Sequence, residues 1–169
     1  MNILDFGAEN PTQWRVVNDG VMGGLSRSGI ETTDHETGLF AGELSLRNNG
    51  GFASVRTMVG PLDLSGFAGL EIRVLGDGRA YQLRLRTDGH QDGLTYRAAF
   101  RTQDGKWFTA RFPFEHFEPS FRGEIIEDAP PLDTSRIHQL GFLIADKVEG
   151  PFSLEIDFIK PWSPDTEEK

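Results

Sequence analysis

Phe152-Ser-Leu154-Glu-Ile156-Asp-Phe158 alternates apolar and polar residues over its whole length. Successive side chains of a β-strand point to opposite faces, so this segment predicts a strand whose four apolar residues all face a core. Leu70-Glu-Ile72-Arg-Val74 and Tyr81-Gln-Leu83-Arg84-Leu85-Arg86 repeat the alternation. None of the long segments shows the apolar period of 3.6 residues that marks an amphipathic helix. The chain is therefore predicted to be almost entirely β.

Further alternating runs lie on both sides of these segments. Leu94–Arg101 and Trp107–Phe112 are joined through Gln103-Asp104-Gly105-Lys106, and Asp-Gly is a strong hairpin signal. We expect the four runs from Leu70 to Phe112 to form a meander. With Ile137–Ala145 and the earlier strands there are about nine or ten short strands, which is typical of a sandwich or a barrel. The earlier strands are predicted over Trp14–Val17, Gly38–Arg47 and Phe52–Val59.

Length and composition bound the class of protein. With 169 residues and no charged or Pro-Ser linker, residues 1–162 are predicted to form one domain, followed by a polar, disordered tail at 163–169. Little helix is expected beyond a single turn in Pro113–Pro119 and a short capped turn at Leu62–Ser65. The absence of cysteine excludes disulfides, thiolate nucleophiles and cysteine-ligated metals. The net charge of −9 disfavours nucleic acid and anionic membranes as partners.

Three motifs in a fixed order carry a family resemblance. They are Trp14–Ser26, with glycines at 20, 23 and 24; Gly42–Arg56, which ends in Gly-Phe-Ala-Ser-Val-Arg; and Gly141–Phe152. Together they resemble the complex I intermediate-associated protein family, whose mitochondrial members are assembly factors for respiratory NADH:ubiquinone oxidoreductase. The resemblance, which runs from about Phe6 to Trp162, implies a galactose-binding-like jelly roll, an all-β sandwich of two antiparallel sheets. It also implies a chaperone-like role in assembling that complex or a related membrane redox complex.

The start of the chain bears on its compartment. The first residues form neither a basic leader nor a long apolar stretch, so no targeting signal and no membrane-spanning segment is expected. This fits a cytoplasmic protein of bacterial type, or a protein of the mitochondrial matrix if the chain is a processed eukaryotic one.

The first motif supplies three candidate binding residues, Asn18, Asp19 and Met22, held in a turn by glycines that reach positive φ without steric cost. Backbone N–H groups beside the glycines would suit an anion, although the spacing is neither a Walker loop nor a dinucleotide fingerprint. Asn18 and Asp19 would suit a calcium ion, which the galactose-binding-like fold often carries, although no Asp-x-Asp spacing supports one. In the third interpretation Asp19 caps its own turn. We expect no resident metal or cofactor.

Arginines form the second candidate group, because Arg73, Arg84 and Arg86 alternate with apolar residues and should project away from the core. Several guanidinium groups on one concave face would suit a carboxylate, a phosphate or a cluster of sugar hydroxyls. The alternative, which we favour for these three, is cross-strand pairing with acidic residues. Arg56, inside the family-like motif, is assigned to binding, and the resemblance places Arg122 near it. The acidic residues expected to pair across strands with Arg73, Arg84 and Arg86 are Glu43, Glu71, Glu155 and Asp157.

Aromatic side chains offer another kind of binding surface. Trp14, Tyr96, Trp107 and Trp162 would offer flat apolar surfaces to a sugar ring or to a partner's side chain. The alternative, because most of them sit at strand positions, is that they pack in the core or at its rim. Trp107 shares its face with Arg111 rather than with Phe108, so we expect it to be the most exposed. The complete predicted binding set is Asn18, Asp19, Met22, Arg56, Arg84, Arg86, Tyr96, Trp107 and Arg122.

The sequence shows no catalytic constellation. Its four histidines are scattered, and it contains no Gly-x-Ser-x-Gly elbow, His-Glu-x-x-His helix or paired-carboxylate motif. We therefore predict a non-catalytic binding protein rather than an enzyme, with respiratory-complex subunits or assembly intermediates as the partners that the resemblance implies. The alternative is a carbohydrate-binding module that recognises a glycan, or a small anionic ligand, on the concave sheet face.

Overall fold

A computed structural model describes residues 3–4, 6, 14–18, 26–47, 51–87, 94–121 and 124–164. These residues form two antiparallel sheets packed face to face. The seven-stranded sheet has the order β1 (Arg15–Val16), β4 (Ala53–Leu62), β11 (Ile137–Ile144), β6 (Ala80–Arg86), β7 (Thr95–Arg101), β9 (Glu118–Phe121), β10 (Glu124–Ile125). The five-stranded sheet has the order β2 (Arg27–Thr32), β3 (Gly38–Leu44), β12 (Gly150–Trp162), β5 (Gly69–Leu75), β8 (Trp107–Pro113). The predicted all-β sandwich of two antiparallel sheets is confirmed.

The core lies between the two sheets and is rich in aromatic rings. Phe40 from β3 and Phe142 from β11 are fully buried, and Tyr81 from β6 is 1% exposed. The rings of Phe40 and Phe152 meet edge to face with centroids 5.0 Å apart, which joins neighbouring strands of the five-stranded sheet. Edge-to-face contact of this kind adds to the stabilisation that burial of apolar area provides. The core therefore fixes which face of each strand is turned to solvent.

The predicted meander is wrong. Of the four strands only β6 and β7 are consecutive partners in one sheet. β5 pairs with β8 and β12 in the other sheet, so the chain changes sheets between β5 and β6 and again between β7 and β8. The Gln103–Lys106 turn does form, with Gly105 at φ 72° and the Lys106 N–H donating to the Gln103 carbonyl at 3.2 Å. It carries the chain from one sheet to the other instead of closing a hairpin. Alternation specifies the face of a strand, but the partner strand is chosen by long-range packing.

A bulge in β12 corrects a second expectation. Ile156 pairs with Val74, but the next registered pair is Phe158 with Arg73, so one extra residue is inserted between them. An inserted residue reverses the side-chain alternation beyond it. Ile159 therefore takes the core position and is fully buried, while Phe158 lies on the outer face beside the Lys160 ammonium at 4.9 Å.

The minor elements agree with the sequence in part. Phe114–His116 forms the single helical turn predicted for Pro113–Pro119, and it is a 3₁₀ turn. Asp63 accepts a hydrogen bond from the Ser65 N–H at 3.0 Å, as a capped turn requires. Strand β2 was not predicted, because Arg-Ser-Gly-Ile-Glu-Thr contains one apolar residue and shows no alternation.

Candidate functional site

Four arginines form a row across the outer face of the seven-stranded sheet. Arg15 pairs with Arg56, and Arg84 pairs with Arg97, in each case on directly opposite positions of neighbouring strands. Gly141 of β11 lies between the two pairs, opposite both Arg56 and Arg84. Residues directly opposite in antiparallel strands share one face of the sheet. We call this surface the arginine face; it consists of Arg15, Arg56, Arg84, Arg86 and Arg97 with Gly141 and Gln139 between them.

Local alternation explains why these side chains point outward. Arg84 lies between Leu83 and Leu85, which are 0% and 1% exposed in the core, so Arg84 must project from the other face. Arg56 follows Val55, which is also fully buried. The core residues thus orient the arginines, and the sheet register brings them into one row.

Gly141 lies in the middle of the row, at a buried position that has no room for a side chain. A Cβ atom there would lie 2.5 Å from the Val55 carbonyl oxygen and 3.0 Å from the Arg56 Cβ. Strands β4 and β11 therefore approach more closely than any larger residue would permit. The row has no side chain between Arg56 and Arg84 as a result.

Burial and like charge both act against the charged form of the arginines on this face. Burial, followed by the nearby charges of Arg86, Arg97 and Arg56, lowers the pKa of Arg84 to about 10. Burial, followed by the charges of Arg86 and Arg15, also lowers the pKa of Arg56. Both shifts mean that the charged guanidinium groups destabilise the folded protein, and a bound anion would reduce this destabilisation.

Two buried polar atoms on this face have no hydrogen-bond partner. One is the Arg84 Nε, a donor, and the other is the Gln139 Oε1, an acceptor on a residue that is 8% exposed. Gln139 is directly opposite Arg86 on one side and Met58 on the other, and Met58 is 55% exposed. A buried polar group without a partner is unusual and costly, which marks the position as one that a ligand can complete.

The structure separates Arg73 from the other predicted arginines. Arg73 lies on the five-stranded sheet and pairs with Asp157 at 2.8 Å, so the cross-strand pairing expected for it is confirmed. Arg84 and Arg86 lie on the seven-stranded sheet, whereas all four acidic residues expected as partners lie on strands of the five-stranded sheet. The pairing expected for Arg84 and Arg86 is therefore wrong.

The two predicted aromatic residues lie away from the arginine face. Trp107 is 36% exposed, as predicted, but it is on the five-stranded sheet with the Arg73 guanidinium 4.4 Å above its ring. Tyr96 is 4% exposed in the core opposite Leu85, and its hydroxyl donates to the Pro130 carbonyl at 2.6 Å. Burial raises the pKa of Tyr96. Its ring is not available to a ligand on the outer face.

The predicted loop residues have different outcomes. The Asn18 Oδ1 accepts hydrogen bonds from the Ser28 hydroxyl at 2.7 Å and the Ser54 N–H at 3.1 Å, and its amide donates to the Ser26 carbonyl at 3.5 Å. Asn18 thus ties the end of β1 to β2 and β4. Asp19, Met22 and Arg122 lie outside the described residues, so their binding roles stay predictions.

Three residues of the arginine face were missed in the sequence: Arg15, Arg97 and Gln139. Arg97 has a usable signal, because it alternates with the buried Tyr96 and Ala98. Arg15 and Gln139 become neighbours of the other residues only through strand register.

The described residues contain no cluster of three or more histidine and carboxylate side chains of the kind that holds a metal ion. No helix in the described ranges is long and apolar enough to cross a membrane.

Comparison with protein families and curated proteins gives one consistent relationship. Residues 4–156 match the family model described as complex I intermediate-associated protein 30. The proteins named complex I intermediate-associated protein 30, mitochondrial, from Drosophila melanogaster and Mus musculus are each 29% identical, over 93% and 89% of this chain. The match covers 61% and 52% of those two proteins, so the chain spans little more than half of their length.

Comparison with solved structures identifies the same architecture in carbohydrate-binding modules. A family 11 module of a cellulosomal cellulase from Clostridium thermocellum matches with a TM-score of 0.72 and 16% identity, covering 95% of this chain and 92% of the module. A family 30 module matches with a TM-score of 0.62 and 13% identity, covering 95% and 88%. At this identity the likeness concerns the fold, the jelly-roll sandwich.

Proposed function

The chain belongs to the complex I intermediate-associated protein 30 family, and on that premise we propose that it is a non-catalytic binding protein in the assembly of respiratory complex I or a related membrane redox complex. In this proposal it holds a protein partner on the arginine face, in a chaperone-like way. The observation that carries the proposal is the row of arginines with the partnerless Arg84 Nε at its centre. A folded protein retains such a costly arrangement where a ligand completes it.

The chemistry of the face supports binding rather than catalysis. Arg84 remains charged at neutral pH even with its pKa lowered to about 10, so it acts as a hydrogen-bond donor and not as a base. Guanidinium forks bind and orient carboxylates and phosphates. The face therefore offers recognition and charge complementarity without an acid–base pair.

The same side chains favour a protein partner over a glycan. Glycan recognition uses flat aromatic rings, but the described outward positions of the row carry arginine, glycine and glutamine. Arginine is enriched at protein interfaces because its fork binds carboxylates and its stem packs on apolar atoms. The exposed Met58 beside the row would add apolar contact.

The proposal also places the protein where such a complex is assembled. That is the cytoplasm for a bacterial-type protein or the mitochondrial matrix for a eukaryotic one. The curated relatives from Drosophila melanogaster and Mus musculus carry the word mitochondrial in their names, which supports the second setting for those proteins.

The test is crosslinked co-purification of the tagged full chain from its own host. Arg56→Ala is expected to lose respiratory-complex subunits that the wild type captures, with its melting temperature nearly unchanged. Arg73→Ala is the matched control, because Arg73 lies on the other sheet and pairs with Asp157. Equal capture of those subunits by all three proteins, or capture of none of them by the wild type, would contradict the proposal. If Arg56→Ala melts far lower, Arg84→Met takes its place.

A further inference from the structure

The length of the arginine row limits what can occupy it. The row crosses five strands, β1, β4, β11, β6 and β7, from Arg15 to Arg97. Neighbouring strands are about 4.8 Å apart, so the row is roughly 19 Å long at the backbone. A single small anion contacts only part of such a row, whereas an extended peptide of about six residues spans it at about 3.3 Å per residue.

Two atoms near the centre of the row need partners of opposite type. The Arg84 Nε needs an acceptor and the Gln139 Oε1 needs a donor. Gln139 is two residues before Gly141, the residue opposite Arg84, so the two side chains are diagonal neighbours about 7–8 Å apart at the backbone. An acidic residue within a peptide supplies both partners, a carboxylate and a backbone N–H.

We propose that the arginine face binds an extended acidic segment of a protein partner, laid across the strands, with one of its carboxylates on Arg84, whose Nε has no partner within the described residues. The segment's backbone N–H groups supply the donor for Gln139. This inference rests on the proposed function for the role of the face, and it adds the chemistry of the partner. The overall charge of −9 makes the attraction local to the row, so the segment is recognised at short range.

The ends of the row set the limits of the segment. Among the residues that the structure describes, β1 is the edge strand, and Arg15 on it is exposed. At the other end Arg97 is opposite Glu118 of β9, whose carboxylate repels a further acidic side chain. The acidic part of the segment therefore covers the positions from Arg15 to Arg97 and does not continue over β9.

Fluorescence anisotropy with purified full chain and labelled peptides tests the inference. The probe is a capped peptide of about ten residues that alternates aspartate and glycine, long enough to cover the row. Its matched control replaces every aspartate with asparagine. We expect the acidic peptide to bind at least about tenfold more tightly than the amide peptide, because hydrogen bonds to charged groups carry that much affinity. High salt should weaken the binding, since part of the row is exposed to solvent.

Variants of the protein locate the binding. Arg84→Met is expected to weaken acidic-peptide binding at least about tenfold, and Arg73→Met, on the other sheet, is expected to leave it unchanged. Gln139→Glu places a carboxylate opposite Arg86, so it should weaken peptide binding while raising the melting temperature. Because this variant is not expected to unfold, it keeps the test valid if Arg84→Met folds poorly.

Three results would overturn the inference. The first is equal binding of the acidic and amide peptides, and the second is an equal loss of affinity in Arg84→Met and Arg73→Met. The third is that inorganic phosphate raises the melting temperature of the wild type but not of Arg84→Met, while the acidic peptide binds no more tightly than the amide peptide. That result would assign the face to a free anion. The co-purification experiment tests the assembly role, and the peptide experiment tests the chemistry of the partner, so one can fail without the other. Peptide binding without capture refutes the assembly role, and capture without peptide binding refutes acidic-segment recognition.

Discussion

Replacing Arg84 with methionine should make the free protein more stable, although most core-adjacent substitutions have the opposite effect. The pKa of Arg84 is lowered to about 10, well below that of an ordinary arginine, mainly by burial and then by the charges of Arg86, Arg97 and Arg56. A group whose pKa is lowered in the folded state, and which is charged at neutral pH, destabilises the fold at every pH below that lowered pKa. The destabilisation is relieved only as the pH rises above about 10. At pH 7 the substitution removes it completely.

The magnitude follows from the shift. At 1.36 kcal/mol per pKa unit, the lowering of the Arg84 pKa to about 10 corresponds to about 3 kcal/mol in the free energy of unfolding. The Nε without a partner is part of the same cost. Methionine keeps an unbranched stem of similar length, so we expect a net gain of about 2 kcal/mol. For a domain of this size that raises the melting temperature by about 4–8 °C.

Urea denaturation at pH 7, with a constant m-value, measures the change as a shift in midpoint. Arg73→Met is the matched control, since the side chains of Arg73 and Asp157 are 38% and 37% exposed and their ion pair contributes little. It should lose no more than about 1 kcal/mol. The reasoning would be refuted if Arg84→Met were less stable than the wild type, or if the two variants shifted the midpoint alike.

Two further predictions concern the framework that positions the arginine face. Gly141→Ala should lower the free energy of unfolding, measured by urea denaturation, by about 1–3 kcal/mol, because the new Cβ would lie 2.5 Å from the Val55 carbonyl oxygen. The control is Gly29→Ala, whose Cβ would have no atom within 4 Å and which should change the free energy of unfolding by no more than about 0.5 kcal/mol. Equal effects of the two substitutions would contradict the close approach of β4 and β11. Asp146→Asn should lose about 3 kcal/mol, because it breaks the 2.7 Å ion pair with Arg79, whose side chain is 12% exposed. Burial acts to raise the pKa of Asp146, but the hydrogen bonds and charge of Arg79 lower it overall. The ionised carboxylate therefore stabilises the fold fully above the unfolded pKa of about 3.9, and this stabilisation is lost as the pH falls through the lower pKa of the folded state. Stability of the asparagine variant should therefore fall less steeply than that of the wild type below about pH 4, and parallel curves of urea midpoint against pH would argue against this role.

The faces of the strands could be read from the sequence, because the direction of a side chain is a local property. Leu83, Leu85 and Val55 are in the core, and the arginines that alternate with them point outward. The neighbours of a strand are not local. β5 and β6 follow each other in the chain but belong to different sheets, so the sequence placed Arg73 beside Arg84 when they lie on different sheets.

The centre of the candidate site depends on register and on one central strand. β11 is almost wholly buried, and its apolar residues gave no sign that Gly141 allows β4 and β11 to approach closely or that the Gln139 Oε1 is buried without a partner. A glutamine in an otherwise apolar strand is a usable signal, but only when the strand is known to be central. The bulge before Phe158 could not be predicted either, because apolar and polar residues continue to alternate through it in the sequence.

The most direct test replaces the chromosomal copy of the protein with Arg84→Met and measures assembled respiratory complex I on native gels, with Arg73→Met as the control. Because Arg84→Met is expected to fold at least as stably as the wild type, loss of the complex cannot be assigned to loss of the protein, and immunoblotting checks its level. The account predicts depleted complex I and accumulated subcomplexes in Arg84→Met and normal complex I in Arg73→Met. Normal complex I in both variants, at equal protein levels, would contradict the claim that the arginine face holds a partner during assembly.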